Sequence, residues 1–554
     1  MQAGISIGSE PKWARCLAHP EPVLAVILTA AAVSLHVLVI THASPLWRDE
    51  VGTLGLATLP HFSETWRMLT HNADPILFPC LVRLWAALGL GNTDFGLRVL
   101  GSVIGFCLVA ALWVAGRAMR LPWPVVSLAL LATNLQVVRW GDSLRPYGFG
   151  SALLLLLVGS VWSFVSGPSR NRYWMACFVG VLCAQCLYQN SFFLLATCCS
   201  GAVVCLRRRQ RREAMVTLCI GFPAALSVLP YVPLIVQAQS WLRPQRAGFD
   251  LLRVWITLSN ALDSSVRGIH WAWVALFLLA LGIGWRTLAT GSGTAPSDPG
   301  DLRVFGGLNL ILGIVGLLVF HWIAKLQFYP WHSLPAMAFA AVNIEAALAH
   351  WGRRVRTPWL ILLGLVSLAP FSATFREAEC AHTNLNVVAA QMSSSTEDGD
   401  LIVVYPWYFG LTFARYYTGS VEWVTLPSVN DLRFHRYDLL NRAMLADNPI
   451  KPVLDRVERA LASGHRVWLV GGLPGWKPGN TRAPGLTPAP GTQKASLAAD
   501  YSYLCGRQAA EFLSKHAQQS WPVKIPSDHC LIGFEVAPVY VVQGWNNAEN
   551  APGP

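Results

Sequence analysis

The stretch Ser44-Pro45-Leu46-Trp47-Arg48-Asp49-Glu50 sets two adjacent carboxylates just beyond a long apolar run, where lipid gives way to water. A carboxylate in that place can take a proton from a hydroxyl as a general base. The plainer account is two solvated acids at a helix start, where Asp and Glu suit the helix dipole. The setting favours chemistry: Trp47 flanks the pair, and a long external loop with two amphipathic segments follows it. Asp74 and Asp142 are further acids expected on the same side. Arg48, Arg145, Arg243, Arg246, Lys325, His71 and His332 are the basic residues near that boundary, able to meet a developing anion. For any one of them, an anchor snorkelling toward head groups is an equally good account. Arg145 stands first because it shares a loop with Asp142.

The elements that must position these residues are mostly membrane spans. Of 554 residues, 53% are hydrophobic and 13% are charged, against about a quarter charged in soluble domains. That composition excludes a water-soluble enzyme of this length and a disordered chain. Residues 1–375 hold 27 Lys+Arg and 14 Asp+Glu, whereas residues 376–554 hold 15 and 16. The excess of positive charge therefore marks cytoplasmic loops rather than a nucleic-acid surface, and no nucleic-acid partner is expected. A span needs about 20 apolar residues. Val23–Thr41 is the first, and too long for a removable signal peptide. Segments 99–116, 121–138, 146–166, 173–188, 191–206, 214–236, 270–285, 304–324, 329–349 and 357–375 follow, giving about eleven.

With the N-terminus inside (Lys12, Arg15), even-numbered spans end at Arg117/Arg120, Arg170/Arg172, Arg207–Arg212, Arg286/Arg303 and Arg353–Arg356, as the positive-inside rule requires. An odd count then leaves residues 376–554 outside. Pro75–Leu90 is short and carries Arg83, so 60–72 and 75–90 are expected as amphipathic helices along the outer membrane surface, inside a first external loop of residues 42–98. Residues 237–269 form another external loop, and 290–301 a cytoplasmic linker. The expected fold is thus mainly α: a polytopic membrane domain over 1–375, then an extracytoplasmic α/β domain over 376–554. In that domain strand-like runs (Leu401–Tyr405, Arg466–Val470, Ile532–Tyr540) alternate with helical stretches such as Pro452–Ser463. Leu473–Gly491, rich in proline and glycine, reads as a surface loop. Eight of the thirteen cysteines fall in spans as small apolar fillers, Cys183-x-x-Cys186 among them. Outside, Cys505 and Cys530 could pair, with Cys380 as competitor.

An acidic pair after the first span resembles the mark of GT-C glycosyltransferases, and more specifically the branch of protein O-mannosyltransferases and the lipid A aminoarabinose transferase. Asp74-Pro75-Ile76-Leu77-Phe78, Leu84-Trp85 and Leu88-Gly89 are similar to the branch's proline-led second interfacial helix. Thr93–Arg98 resembles the approach to its second span, Asp142–Tyr147 its second external acidic loop, and Phe328-Tyr329-Pro330…Pro335 its late proline-marked span. The likeness covers about residues 20–375. Two positions depart from it: relatives commonly carry His or Lys and two prolines where this chain has Asp74-Pro75-Ile76, and Arg-Tyr where it has Trp331-His332.

The resemblance implies an inverting transfer of a sugar from a polyprenyl-phosphate donor to a glycan, lipid or protein acceptor outside a bacterial inner membrane. Asp49 would be the base and Glu50 next in line. Arg48, His71, Asp74, Asp142, Arg145, Arg243, Lys325 and His332 would bind the donor phosphate or substrate. A lipid phosphate is already a good leaving group, so no cofactor is required. Some members bind a divalent metal through such acids, and Asp49, Asp142 and Asp74 could do so, but acids alone do not make a site and no metal ligand is assigned. Trp47 and Trp140 could stack on sugar rings. His36 and His321 read as hydrogen-bonded span residues, and Glu345 as a snorkelling one. The competing classes are a transporter or lipid flippase, which tends to bury ionisable groups at the midplane and repeat its halves, and a non-catalytic assembly protein.

Overall fold

The computed structural model describes residues 20–42, 44–241, 249–290, 299–348, 353–478, 498–526 and 530–546. Among these, eight helical segments are long and apolar enough to cross a bilayer: Pro20–His42, Asp94–Ala118, Pro146–Ser166, Asn190–Arg207, Arg211–Gln239, Ile269–Ala289, Gly300–Ala324 and Pro358–Ala378. Val23, Val26, Ile27, Val33 and Val37 of the first are exposed, as residues facing lipid must be. Three of the eleven expected spans fall short of that standard. Arg170–Cys186 has 17 residues. Pro330–Leu348 contains Pro335 and is buried on nearly every face, so its surroundings are protein rather than lipid. Segment 121–138 is broken into Val125–Leu131 and Leu135–Gly141, because Asn134 caps the second helix through Gln136 N (2.9 Å) and donates to the Ala261 carbonyl (3.1 Å). Apolar content alone does not register such a break.

The helix ends sort into two sets. Arg208 Nε lies 2.7 Å from Asp301 Oδ2, which joins the end of Asn190–Arg207 to the start of Pro299–Ala324. That helix begins within the expected linker, of which 291–298 lie outside the described residues. At the other set of ends, the chain leaving Pro20–His42 forms an unexpected helix, Arg48–Ala57. The two amphipathic segments follow as Phe62–Met68 with a 3-10 turn to His71, and Leu77–Ala87. The latter buries Phe78 and Val82 and exposes Leu84 and Leu88, one helical turn apart on its outer face.

Beyond Ala378 the chain forms strands β1 (Ala381–Thr383), β2 (Leu401–Val404), β3 (Trp423–Thr425), β4 (Arg466–Val470), β5 (Ala517–Val523), β6 (Leu531–Glu535) and β7 (Val539–Trp545). The main sheet runs β3-β2-β4-β7-β5, with β2 parallel to β3 and β4, and β7 antiparallel to β4 and β5. Ile532–Tyr540, expected as one strand, is two. Leu473–Gly491 is described only to residue 478.

Strand alternation sends Ile402, Val404, Trp468 and Val470 to one face, against Leu385, Val388 and Met392. Leu401, Val403, Val467 and Leu469 go to the other, where the core continues into Val51, Leu54, Phe78, Leu97 and Leu100. The α/β domain is therefore packed onto the first loop through a shared core. Parallel pairing of β1 with β6 aligns Ala381 with Leu531, so Cys380 and Cys530 meet and form a disulfide. The Cys505–Cys530 alternative is excluded in this structure, and Cys505 is a buried free thiol.

Candidate active site

The start of helix Arg48–Ala57 is held by Glu50. Its oxygens meet Arg98 Nη1 at 2.6 Å and Nη2 at 2.7 Å, and accept from Leu144 N (2.9 Å) and Trp47 N (3.4 Å). Arg98 spends its remaining donors on the carbonyls of Ser44 (2.8 Å) and Pro45 (2.9 Å). Glu50 is 0% exposed. Both oxygens of this expected second catalytic acid are thus committed to a buried bidentate pair, which leaves it no face for a substrate.

Asp49 points the other way. Its side chain is 17% exposed, with Arg48 Nε and His435 Nε2 each 3.6 Å from Oδ1. Arg145 binds the same turn through the Asp49 carbonyl (3.5 Å) and Thr53 Oγ1 (3.2 Å), and its Nη2 lies 3.7 Å from Asp74 Oδ2. Burial pushes the Asp49 pKa up, but Arg145, Arg48 and His435 outweigh it, so the carboxyl sits below its ordinary value and is ionised at neutral pH. Asp74 behaves oppositely. Burial raises it to about 6, Arg145 only partly opposes this, and Asp49 adds to it. Two neighbouring carboxyls with pKa values pushed apart provide one proton acceptor and one group that exchanges a proton near neutrality.

The α/β domain supplies the rest of the wall. Parallel sheets place their sites beyond the carboxyl ends of the strands, and that edge faces Asp49: Trp407 and Tyr408 follow β2, and His435 follows β3. Arg48 lies over the Tyr408 ring (4.7 Å to its centroid) and 3.5 Å from Glu535 Oε1 at the end of β6. Glu535 also accepts from Thr412 Oγ1 (2.9 Å), and burial pushes it up to about 7 against the pull of Arg48. Burial pushes His435 down to about 4, with Asp49 opposing, so its ring is neutral at pH 7.

The other expected site residues distribute unevenly. His71 is 3.7 Å from Asp438 and packs on Phe434, so it braces the loop that carries His435. The His332 ring lies 5.8 Å from Tyr147, at the edge of the cluster, and its Nδ1 accepts from Tyr329 N (3.2 Å). Asp142 is not with Asp49. Its Oδ1 is 2.7 Å from His36 Nδ1, both are buried, and a Cβ on Gly101 or Gly105 would overlap Asp142. Lys325 follows helix Pro299–Ala324 and has no ion pair to the cluster among the described residues. Arg243 and Arg246 lie outside the described residues. Trp47 and Trp140 are each 1% exposed, boxed with Trp331, His382 and Phe534, which removes them as sugar platforms. Among the described residues, no three His, Cys, Asp or Glu side chains converge as a metal-binding group.

The sequence alone does not single out His435 or Glu535, and it shows Arg98 only as the end of Thr93–Arg98. Two signals bear on His435: the dense charge of Asp431–Asp438 (DLRFHRYD), and the Gly52-x-x-Gly55 spacing on the Asp49 helix.

No protein-family model matches the sequence, and no curated protein matches it. Among solved structures, the chain aligns with the oligosaccharyltransferase of Archaeoglobus fulgidus in complex with Zn and sulfate, at TM-score 0.47 and 10% identity over 81% of this chain and 68% of that one. A second structure, the archaeal oligosaccharyltransferase AglB from the same organism with an inhibitory peptide and a dolichol-phosphate, aligns at TM-score 0.44 and 11% identity over 82% and 70%. Likeness at this level identifies neither family nor reaction.

Proposed function

We propose that this chain is an inverting, GT-C-like glycosyltransferase that moves a sugar from a polyprenyl-phosphate donor to a glycan, lipid or protein acceptor on the outer side of a bacterial inner membrane. The observation that carries the reading is Asp49: an ionised, partly exposed carboxylate beside Arg48, Arg145 and His435, at the seam of the first loop and the α/β domain. It sits at the end of the bundle where helix Pro20–His42 finishes and helix Pro146–Ser166 begins. A disulfide in the α/β domain supports an oxidising, external side for that end.

In this mechanism Asp49 removes the proton of the acceptor hydroxyl as its oxygen attacks the anomeric carbon. The bond from that carbon to the phosphate oxygen breaks, and the electron pair leaves with the lipid phosphate. Arg145 and Arg48 stabilise the charge that develops on the phosphate. Asp74, half-protonated near pH 6, can pass its proton to the product phosphate. Glu50 and Arg98 hold the helix that aims Asp49, and His332 borders the donor side. Asp142 serves packing instead, locked to His36. No metal or redox group enters the scheme.

The test is detergent-purified protein with a panel of undecaprenyl-phosphate-linked mannose, galactose and aminoarabinose, with and without envelope extracts as acceptors. The reading expects release of undecaprenyl phosphate that depends on the acceptor. Translocation of intact lipid-linked sugar across liposomes without release would identify a flippase instead.

A further inference from the structure

The segment Asp431–Asp438 follows β3 and is fixed from several directions. Arg436 pairs with Asp431 (2.5 Å) and Asp438 (2.7 Å), Arg433 pairs with Asp431 (3.0 Å), and Asp438 reaches His71 of the first loop. Gly52 and Gly55, on one face of the Asp49 helix, let this segment come close. A Cβ on Gly55 would overlap the Arg433 carbonyl, and one on Gly52 would lie 3.7 Å from Phe434 Cα. Tyr437 stacks on the His435 ring at 5.6 Å and 11°, and Trp407 meets it edge-on at 6.2 Å. The ring therefore has a set orientation. Its Nδ1 is on the side of the helix, 3.5 Å from where a Gly52 Cβ would be. Its Nε2 faces Asp49 Oδ1.

We propose that His435 is a positioning residue: its ring donates Nε2–H to Asp49 Oδ1, leaving the other oxygen for the acceptor hydroxyl, so that the α/β domain completes the reaction centre. The inference rests on Asp49 being the base. The acceptor proton goes to Asp49, and His435 takes up no proton in the step. At 3.6 Å the two groups are an ion-pair contact just beyond hydrogen-bond length, and the proposal requires that they close by about half an ångström as the acceptor binds. Asp49 is also within electrostatic range of Arg48 on its own helix, Arg145, Asp74 and Tyr147 from the membrane part, Tyr329, and Glu535 from β6. Arg48 Nε lies at the same distance from Oδ1 on Asp49's own helix, and His435 is the N–H group that the α/β domain brings to that oxygen.

The experiment pairs two readouts on full-length protein in detergent. Dicyclohexylcarbodiimide modifies protonated carboxyls, so the pH midpoint of Asp49 labelling, read by peptide mass spectrometry, follows its titration without substrate. His435→Leu removes the imidazole, which is itself largely protonated in that acid range, and is expected to raise that midpoint by about one pH unit; kcat at pH 7 reads the neutral donor. It is also expected to lower kcat for the best-used undecaprenyl-phosphate sugar by roughly 10–100-fold at unchanged KM. His435→Gln, whose amide can donate from a similar position but carries no charge, is expected to recover most of the kcat loss at pH 7 and only part of the midpoint shift. His435→Asn, shorter and polar, replaces the leucine variant should that one fail to fold. An unmoved midpoint with normal kcat overturns the inference, and so does a raised KM at normal kcat, which would make His435 a substrate contact. Sugar transfer by Asp49→Asn would defeat the base assignment while leaving the labelling shift in place, so the two failures are distinguishable.

Discussion

Replacing Glu50 by Gln strips the charge from a carboxylate that meets Arg98 at 2.6 and 2.7 Å in a fully buried setting. The guanidinium then keeps only the Ser44 and Pro45 carbonyls and one amide oxygen to answer a full charge. Breaking one side of a buried pair costs about 3–5 kcal/mol, because the remaining charge stays desolvated. Replacing both residues, as in Glu50→Met with Arg98→Met, removes that charge and is expected to recover most of the loss. The assay is denaturant unfolding in micelles followed by tryptophan fluorescence, run as a double-mutant cycle of Glu50→Met, Arg98→Met and the pair, with a coupling of about 3 kcal/mol expected. Turnover per folded molecule of Glu50→Gln is expected to stay within several-fold of the parent, because Glu50 holds a helix and touches no reacting group. Unchanged stability together with a loss of turnover as deep as that of Asp49→Asn would refute this reasoning and return Glu50 to the chemistry.

Three further outcomes follow from the same geometry. Gly55→Ala forces a Cβ against the Arg433 carbonyl; kcat is expected to fall by about 10²-fold, as a misplacement near 1 Å does, while circular dichroism stays unchanged. Asp74 has a folded pKa raised to about 6. The proton it keeps stabilises the fold fully below the unfolded value near 4, and that contribution is lost as pH rises through 6. Asp74→Asn is therefore expected to be more stable than the parent by up to about 3 kcal/mol at pH 7.5, with no difference at pH 4, measured by unfolding at both pH values. Cys380→Ser removes the bond that ties β1 to β6, the strand that ends in Glu535; a loss of about 2–4 kcal/mol in unfolding free energy is expected, with Cys505 remaining unreactive to maleimide in the native state because it is buried.

What the sequence made legible and what it concealed divide along physical lines. Asp49 could be singled out because the acidic pair falls in one long external loop, flanked by Trp47 and two amphipathic segments, and hydropathy located the span before it. Glu50, identical in that respect, was separated from Asp49 only by the direction of its side chain, which depends on Arg98 in the next span. Asp142 looked like a partner of Asp49 because both fall at one end of the bundle. The close approach permitted by Gly101 and Gly105 turns it inward to His36 instead. His435 and Glu535 lie hundreds of residues from Asp49, in a domain whose strands were legible as apolar runs but whose pairing was not. Register decided the disulfide too: β1 alongside β6 chooses Cys380 over Cys505. The break at Asn134 turns on one side-chain cap, and the burial of Pro330–Leu348 on tertiary neighbours, and a hydropathy window senses neither.

Acceptor-dependent release of undecaprenyl phosphate by Asp49→Asn, set beside the parent protein at equal folded concentration, tests the central claim most directly. Loss of a general base from an otherwise intact site is expected to lower the rate by about 10²–10⁴-fold, with donor KM unchanged because Arg48 and Arg145 remain. Release by the variant at a rate within a few-fold of the parent would contradict the account.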